Sequence, residues 1–337
     1  MNQRVCERTG QGLEQAFGRP KSLTTPGPTG SRLEGMILEG KYKLLRKIGA
    51  GGMGQVFEAE DLRSGGLVAI KLVGQDGPPQ ALVRLEREAR IVATLRNPNI
   101  CEVYDVGHMP YGAPFVVFER LVGETLAQRT RSVLQLPLRS TIDLFSQMLL
   151  GLQAAHDAHI IHRDLKPENI FLVDREGGGP LVKLLDFGFA KDLSVVSRVT
   201  RPGDACGTLK YMSPEQLRVE PLSPRSDLFA VGLMLYETLA GRHPFAAASQ
   251  VEMQRNILCT TPRPIRVRRP ALPEALEDLL VRALAKAPAD RPASALELRR
   301  DLLSVTTNSH ALPSFADQEP SSVTEPAWLA PSYSPLA

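Results

Sequence analysis

Four side chains in the middle of the chain carry groups that could work together. Asp164, Lys166 and Asn169 lie within His162-Arg163-Asp164-Leu165-Lys166-Pro167-Glu168-Asn169, and Asp186 heads Asp186-Phe187-Gly188. A carboxylate can take or orient a hydroxyl proton. An ammonium two residues on can reach a moving anionic group, while an amide and a second carboxylate are the hard oxygen donors that magnesium accepts. Two further pieces come earlier: Gly49-Ala50-Gly51-Gly52-Met53-Gly54-Gln55-Val56 and Val68-Ala69-Ile70-Lys71. Glycines let backbone N–H groups approach phosphate oxygens with no Cβ in the way. Each piece suits one part of ATP, and the ordered set is far more specific than any member of it.

Taken singly, the pieces are weak. A Gly-x-Gly-x-x-Gly run also occurs in dinucleotide-binding folds, where it leads from a strand into a helix. Here Gln55–Glu60 reads as a second strand, so the loop joins strand to strand. No Gly-Lys-Ser/Thr follows, which excludes a P-loop. Lys71 on its own could equally be a solvated lysine at a strand end.

In combination these motifs resemble the eukaryotic-like serine/threonine protein kinases over about residues 39–303. The resemblance implies an α+β, two-lobed fold: a small β-rich N-lobe with one key helix (39–121) and a larger helical C-lobe (122–303). It implies that Asp164 receives the acceptor proton, that Lys166 reaches the transferred phosphoryl group, and that Asn169 and Asp186 hold Mg2+, for which Mn2+ could substitute. Ile48, Gly49, Ala50, Gly51, Gly52, Met53, Gly54, Gln55 and Val56 would cover ATP. Val56 and Ala69 would roof the adenine, Phe171 would floor it, and Phe118 would close the back. Backbone groups of Glu119 and Leu121 would bond the base. Glu124 would reach the ribose, or else serve as a carboxylate at a helix start. Lys71 would contact the α- and β-phosphates and needs a counter-charge from the following helix. Arg87-Glu88-Ala89, with Leu95, Pro98 and Ile100 after it, aligns Glu88 with that role. Glu86, the other candidate, reads as a solvated charge.

Lys166 and Thr208, in Cys206-Gly207-Thr208, resemble the serine/threonine branch, with Thr208 helping to shape the site. Gly-Gly-Met-Gly and Ser213-Pro214-Glu215-Gln216 resemble bacterial members. The stretch between Asp186 and Glu215 should hold protein substrates, and within it Thr200 is the expected regulatory phosphosite, with Arg163 as partner for the phosphate. Asp227 should cap a buried helix and bond the catalytic-loop backbone. Glu215 and Arg291 should form an ion pair pinning the segment to the C-lobe. Three departures stand out: Asn97 for a common His, Phe189 for Leu and Ser213 for Ala. None touches phosphate, metal or base, which disfavours a nucleotide-binding pseudokinase scaffold. A small-molecule kinase is the third reading.

Several elements must position these groups. Strands are expected at Tyr42–Ile48, Gln55–Glu60, Val68–Leu72, Glu102–Val106 and Phe115–Phe118. A helix at Leu82–Leu95 places Leu82, Leu85, Ala89, Val92 and Ala93 at spacings of three and four. In a helix over 140–158, Ile142, Phe145, Leu149, Leu152 and His156 share a face. Leu228–Leu239 is apolar nearly all round, the mark of a helix buried on every side. Residues 1–38 and 304–337, rich in Gly, Pro and Ser, read as a flexible lead-in and a disordered tail. Met36 is an alternative start, which intact-mass measurement of native protein would test. The chain has 337 residues, 43% hydrophobic and 23% charged, with a net charge of +3. That balance suits a globular enzyme and offers no field for nucleic acid or an anionic membrane. Cys6, Cys101, Cys206 and Cys259 lack metal-ligand spacing and read as reduced thiols. No apolar run is long enough for a bilayer. A cytoplasmic protein is expected, acting on proteins, with dimers forming transiently for autophosphorylation.

Overall fold

A computed structural model of the chain describes residues 33–51, 54–73, 79–187 and 209–307. Its N-terminal part is an antiparallel six-stranded sheet: β1 Ile37–Leu38, β2 Tyr42–Gly51, β3 Gly54–Asp61, β4 Leu67–Val73, β5 Val103–His108 and β6 Pro114–Glu119. The order across the sheet is β1-β2-β3-β4-β6-β5. β2 and β3 form a hairpin with Gly51 opposite Gly54, so the glycine loop sits at its tip. Gly54 has φ +143°, and a Cβ there would lie 1.9 Å from the Leu72 carbonyl oxygen. Only glycine fits that close approach.

Helix α1, Pro79–Val92, lies against β5 and β6. Its start precedes the expected Leu82, and it ends three residues before Leu95, where Ala93–Leu95 form a closing turn. Ala89 and Val92 are buried, as the spacing required. The segment after α1 crosses to the other lobe: Leu184 N–H donates to Asn99 O and Cys101 N–H to Leu184 O, both at 2.9 Å. The strand carrying Asp186 toward the site is thereby tied to the base of α1.

The C-terminal part opens with β7 Gly123–Thr125, β8 Ile170–Val173 and β9 Leu181–Leu184, a second small sheet. Around it stand α2 Leu126–Ser132, α3 Leu138–Asp157, α4 Pro214–Arg218, α5 Pro224–Ala240, α6 Gln250–Cys259, α7 Glu274–Ala283 and α8 Ala295–Thr307. α5 is buried from Ser226 to Ala240 except at Glu237. Pro224 suits its first turn, and Gly241 at φ +67° ends it in the left-handed region. α3 packs against α5, α8 and β9.

Strand pairing begins at Ile37, two residues ahead of the expected boundary at 39. Ile37 and Leu38 pair with Lys43 and Tyr42, and Leu33 and Leu38 are buried in the sheet's own core. Two residues of strand are too few to stand out by alternation, so composition alone hid them. At the other end α8 runs to Thr307, four residues past 303. Leu38→Ala should cost about 2–5 kcal/mol, the range for truncating a buried leucine. Chemical denaturation would measure it, and a change under about 0.5 kcal/mol, the surface value, would show that this strand does not matter.

Candidate active site

The catalytic-loop residues converge through the backbone. Asn169 ends a single 3-10 turn at 167–169 that opens on Pro167. Its Nδ2 donates to Asp164 O at 2.7 Å and to Asp164 Oδ2 at 3.3 Å. Lys166 Nζ reaches the same Oδ2 at 3.1 Å. Asp164 and Asn169 are buried, whereas Lys166 is half-buried. With its Nδ2 spent on Asp164, Asn169 keeps its amide oxygen for a cation.

Two residues here adopt positive φ without being glycine: Arg163 at 65° and Asp186 at 47°. Such a backbone is costly unless its surroundings impose it. At Arg163 the causes are visible. Its N–H donates to Asp227 Oδ1 at 2.9 Å, and its carbonyl accepts from Gln216 Nε2 at 2.8 Å. Asp227 Oδ2 also takes His162 N–H and His156 Nε2, each at 2.8 Å. Asp227 thus bonds the loop as expected, but it does not cap α5. Ser223 precedes that helix, and its N–H bonds Ser226 Oγ at 3.2 Å.

His162 is fully enclosed, and its ring lies 4.6 Å from that of Phe187. Burial lowers its pKa. The neutral ring donates from Nε2 to Leu185 O at 2.8 Å, which fixes the stretch leading into Asp186.

A protein kinase domain model matches residues 42–302. The chain belongs to the protein kinase family. It is 40% identical over 278 residues to serine/threonine-protein kinase pkn3 of Myxococcus xanthus, covering 80% of this chain and 51% of that protein. With serine/threonine-protein kinase PknB of Mycobacterium leprae the identity is 34% over 273 residues, or 80% of this chain and 43% of that one. The crystal structure of the Mycobacterium tuberculosis PknI kinase domain aligns with a TM-score of 0.64 and 26% identity, covering 81% of this chain and 98% of that chain. The chain spans about half the length of the curated relatives it matches.

Among the described residues of this kinase domain, Lys71 and Glu88, expected as partners, each meet another group. Lys71 Nζ lies 2.7 Å from Asp186 Oδ1. Glu88 Oε1 lies 3.5 Å from Arg163 Nη1. Asp186 and Arg163 both carry the reversed backbone, which brings their side chains within reach of partners that sequence spacing does not specify. Glu86 is not merely solvated, since its carboxylate meets His108 Nε2 at 2.6 Å.

The residues expected around adenine lie on β3, β4, β6 and β8. Val56, Ala69, Phe118 and Phe171 are each half-buried. Val56 and Lys71 are paired across β3 and β4, and Ala69 faces Phe118 across β4 and β6. Glu119 N–H, expected to be near the base, donates to Glu102 O at 3.0 Å. The Leu121 carbonyl meets the guanidinium of Arg120. Arg120 and Arg46 in turn hold Glu58, at 2.8 and 2.7 Å, and their hydrogen bonds keep its carboxyl below the ordinary range. Glu124 is engaged by Arg129 at 2.5 Å, and Thr125 rather than Glu124 caps α2.

In the glycine loop a Cβ on Gly49 would make only ordinary contact with Val56, at 3.7 Å. Packing does not demand glycine there. Ile48 is exposed at the rim, Ala50 belongs to β2, and Gln55 Oε1 is enclosed without a partner among the described residues. Gly52, Met53, Gly188, Phe189, Thr200 and Thr208 lie outside the described residues.

Glu215 and Arg291 form the expected pair with two parallel bonds of 2.7 and 2.8 Å. Ser213 explains its own departure: it caps α4, with its N–H on Gln216 Oε1 at 2.9 Å. Asn97, the other described departure, accepts Asn99 N–H at 2.8 Å through Oδ1. Sequence reasoning missed Gln216 as a support of Arg163, and it placed His156 on the buried face of α3 without its bond to Asp227. A histidine on an otherwise apolar stripe was the available signal.

Proposed function

We propose that this domain transfers the γ-phosphoryl group of ATP to serine or threonine hydroxyls of proteins, its own included. The observation that carries the reading is the meeting of Lys166 and Asn169 on the Asp164 carboxylate, at 3.1 and 3.3 Å, supported by Lys71 on Asp186 at 2.7 Å. Asp164 would orient the acceptor hydroxyl and receive its proton as the new O–P bond forms. Lys166 would follow the phosphoryl charge as the β–γ bridge breaks and ADP leaves. The transition state is loose, so positioning and electrostatics do most of the work.

Asn169 and Asp186 would hold magnesium through an amide oxygen and a carboxylate, the few protein donors that a partly hydrated ion needs. When bound, such an ion neutralises phosphate charge, and manganese would take the same donors. The kinase reading is favoured over a scaffold because none of these groups is replaced. Incubation with labelled ATP and magnesium should place label on serine or threonine of protein. Label on no protein would sink the reading in favour of the scaffold, and label only on metabolites would favour a small-molecule kinase.

Thr200, with Thr208 beside the site, belongs to this proposal. Phosphate on Thr200 would pair with Arg163 and raise activity. Thr200→Ala should then lower transfer about tenfold or more, the scale of a missing one-to-two kcal/mol charge-assisted contact. Full activity with no phosphate found on the segment by mass spectrometry would refute it. We place the protein in the cytoplasm, with transient dimers serving autophosphorylation. Among the described residues no helix is long and apolar enough to cross a membrane.

A further inference from the structure

Beside the residues expected around adenine lies a group of charges that phosphoryl transfer does not use. Glu58 stands two residues after Val56 on β3, so the two side chains share a face of the strand. It is opposite Ala69 on β4, which is in turn opposite Phe118 on β6. Glu58 is only 8% exposed. A carboxylate that deep needs cationic partners. Two arginines supply them, Arg46 Nε at 2.7 Å on one oxygen and Arg120 Nε at 2.8 Å on the other.

The two arginines are not equivalent. Arg46 lies on β2, in the same sheet as Glu58, and its side chain is 63% exposed. Arg120 follows β6 in the segment that joins the two sheets, and its side chain is 26% exposed. While its Nε holds Glu58, its Nη1 meets the carbonyl of Leu121. One planar guanidinium therefore ties β3 to the peptide whose backbone groups are expected to meet the base. A lysine ammonium, a point charge on a flexible stem, offers no such fork.

We propose that Arg120 is a positioning residue that sets base specificity: it covers the Leu121 carbonyl and fixes that peptide relative to β3, so that Leu121 serves the base as a donor only. This rests on the kinase reading above and adds to it which purine the segment accepts. Adenine offers the acceptor nitrogen N1 to such a donor and carries only a C–H at position 2. A purine with an amino group at position 2 brings a donor that needs the Leu121 carbonyl. With that oxygen covered by Arg120, the amino group gives up its water and gains no partner, which costs about tenfold in affinity.

The test uses full-length protein, magnesium, and a non-hydrolysable ATP analogue beside its 2-amino counterpart, read by calorimetry. Wild type should prefer the unsubstituted base about tenfold. Arg120→Leu should abolish that preference, tightening the 2-amino compound about tenfold while the unsubstituted one changes about threefold at most. Glu58 keeps Arg46 in that variant, so no buried carboxylate is stranded. Arg120→Lys separates specificity from support. It keeps a charge beside Glu58 and should match wild type in thermal unfolding, yet lose the preference as leucine does. A purely structural role predicts the reverse, with lysine restoring what leucine loses. Equal binding of the two analogues by wild type, or a preference retained by the lysine variant, would overturn the proposal. If leucine disturbs the fold, the lysine variant carries the test alone. Binding requires no transfer, so protein that discriminates the bases as described but labels no serine or threonine would sink the kinase reading and leave the role of Arg120 standing.

Discussion

Asp164→Asn should lower kcat by about 10²–10⁴ while leaving nucleotide affinity within a few-fold of wild type. The substitution is nearly isosteric, and the site can accommodate an amide. Lys166 Nζ and Asn169 Nδ2 both donate to Oδ2, at 3.1 and 3.3 Å, and the amide oxygen of the variant can take that position. The Asp164 backbone is held independently, by its N–H on His162 O at 2.8 Å and its carbonyl on Asn169 Nδ2 at 2.7 Å. What the variant cannot do is receive a proton or orient a hydroxyl by accepting from it with full charge. The loss should therefore fall on the chemical step. Single-turnover transfer to a protein acceptor, alongside calorimetric binding, separates the two. Activity above about a tenth of wild type would remove Asp164 from the mechanism, because a proton acceptor supplies at least 10².

The parts of this domain that were legible in the sequence are those in which local pattern and chemistry coincide. The β2–β3 hairpin shows its glycine tip directly, since backbone approach to Leu72 tolerates no Cβ at Gly54. α5 announced itself by being apolar on every face, which only a fully enclosed helix can be. The register that sets Ala69 opposite Phe118 followed from the order of motifs rather than from any one apolar residue. Charge pairing was less legible. Glu88 was assigned to Lys71 by motif alignment, but an ion pair depends on where α1 and the catalytic loop point at a given moment. Arg163 at φ 65° and Asp186 at φ 47° redirect two side chains in a way that residue type does not encode. β1 was hidden because a two-residue strand carries no period, although Leu38 is wholly buried.

Replacing Arg291 should cost about 3–5 kcal/mol of stability, the penalty for leaving one member of a buried ion pair alone. All five guanidinium donors are used. Nη1 and Nη2 meet the two Glu215 oxygens at 2.7 and 2.8 Å. They also serve Arg225 O at 2.9 Å and Lys286 O at 3.0 Å, while Nε serves Ala285 O at 2.8 Å. One side chain thus joins α4, the start of α5 and the loop after α7, and its guanidinium lies 4.8 Å from the Phe229 ring. Lysine has three donors without the planar fork, so Arg291→Lys should still lose about 2 kcal/mol or more. The pH dependence has a definite sign. Burial pushes the Glu215 carboxyl up, but hydrogen bonds from Arg291 and Ser226 outweigh it and hold the group below its ordinary value near 4.5. Its contribution is therefore complete above that pH and lost as pH falls through the lower folded value. Urea unfolding of wild type should weaken below about pH 4.5, and Glu215→Gln, with nothing to titrate there, should show less of that acid loss. An Arg291→Ala variant as stable as wild type at pH 7 would mean that the segment is anchored to the C-lobe by something other than this pair.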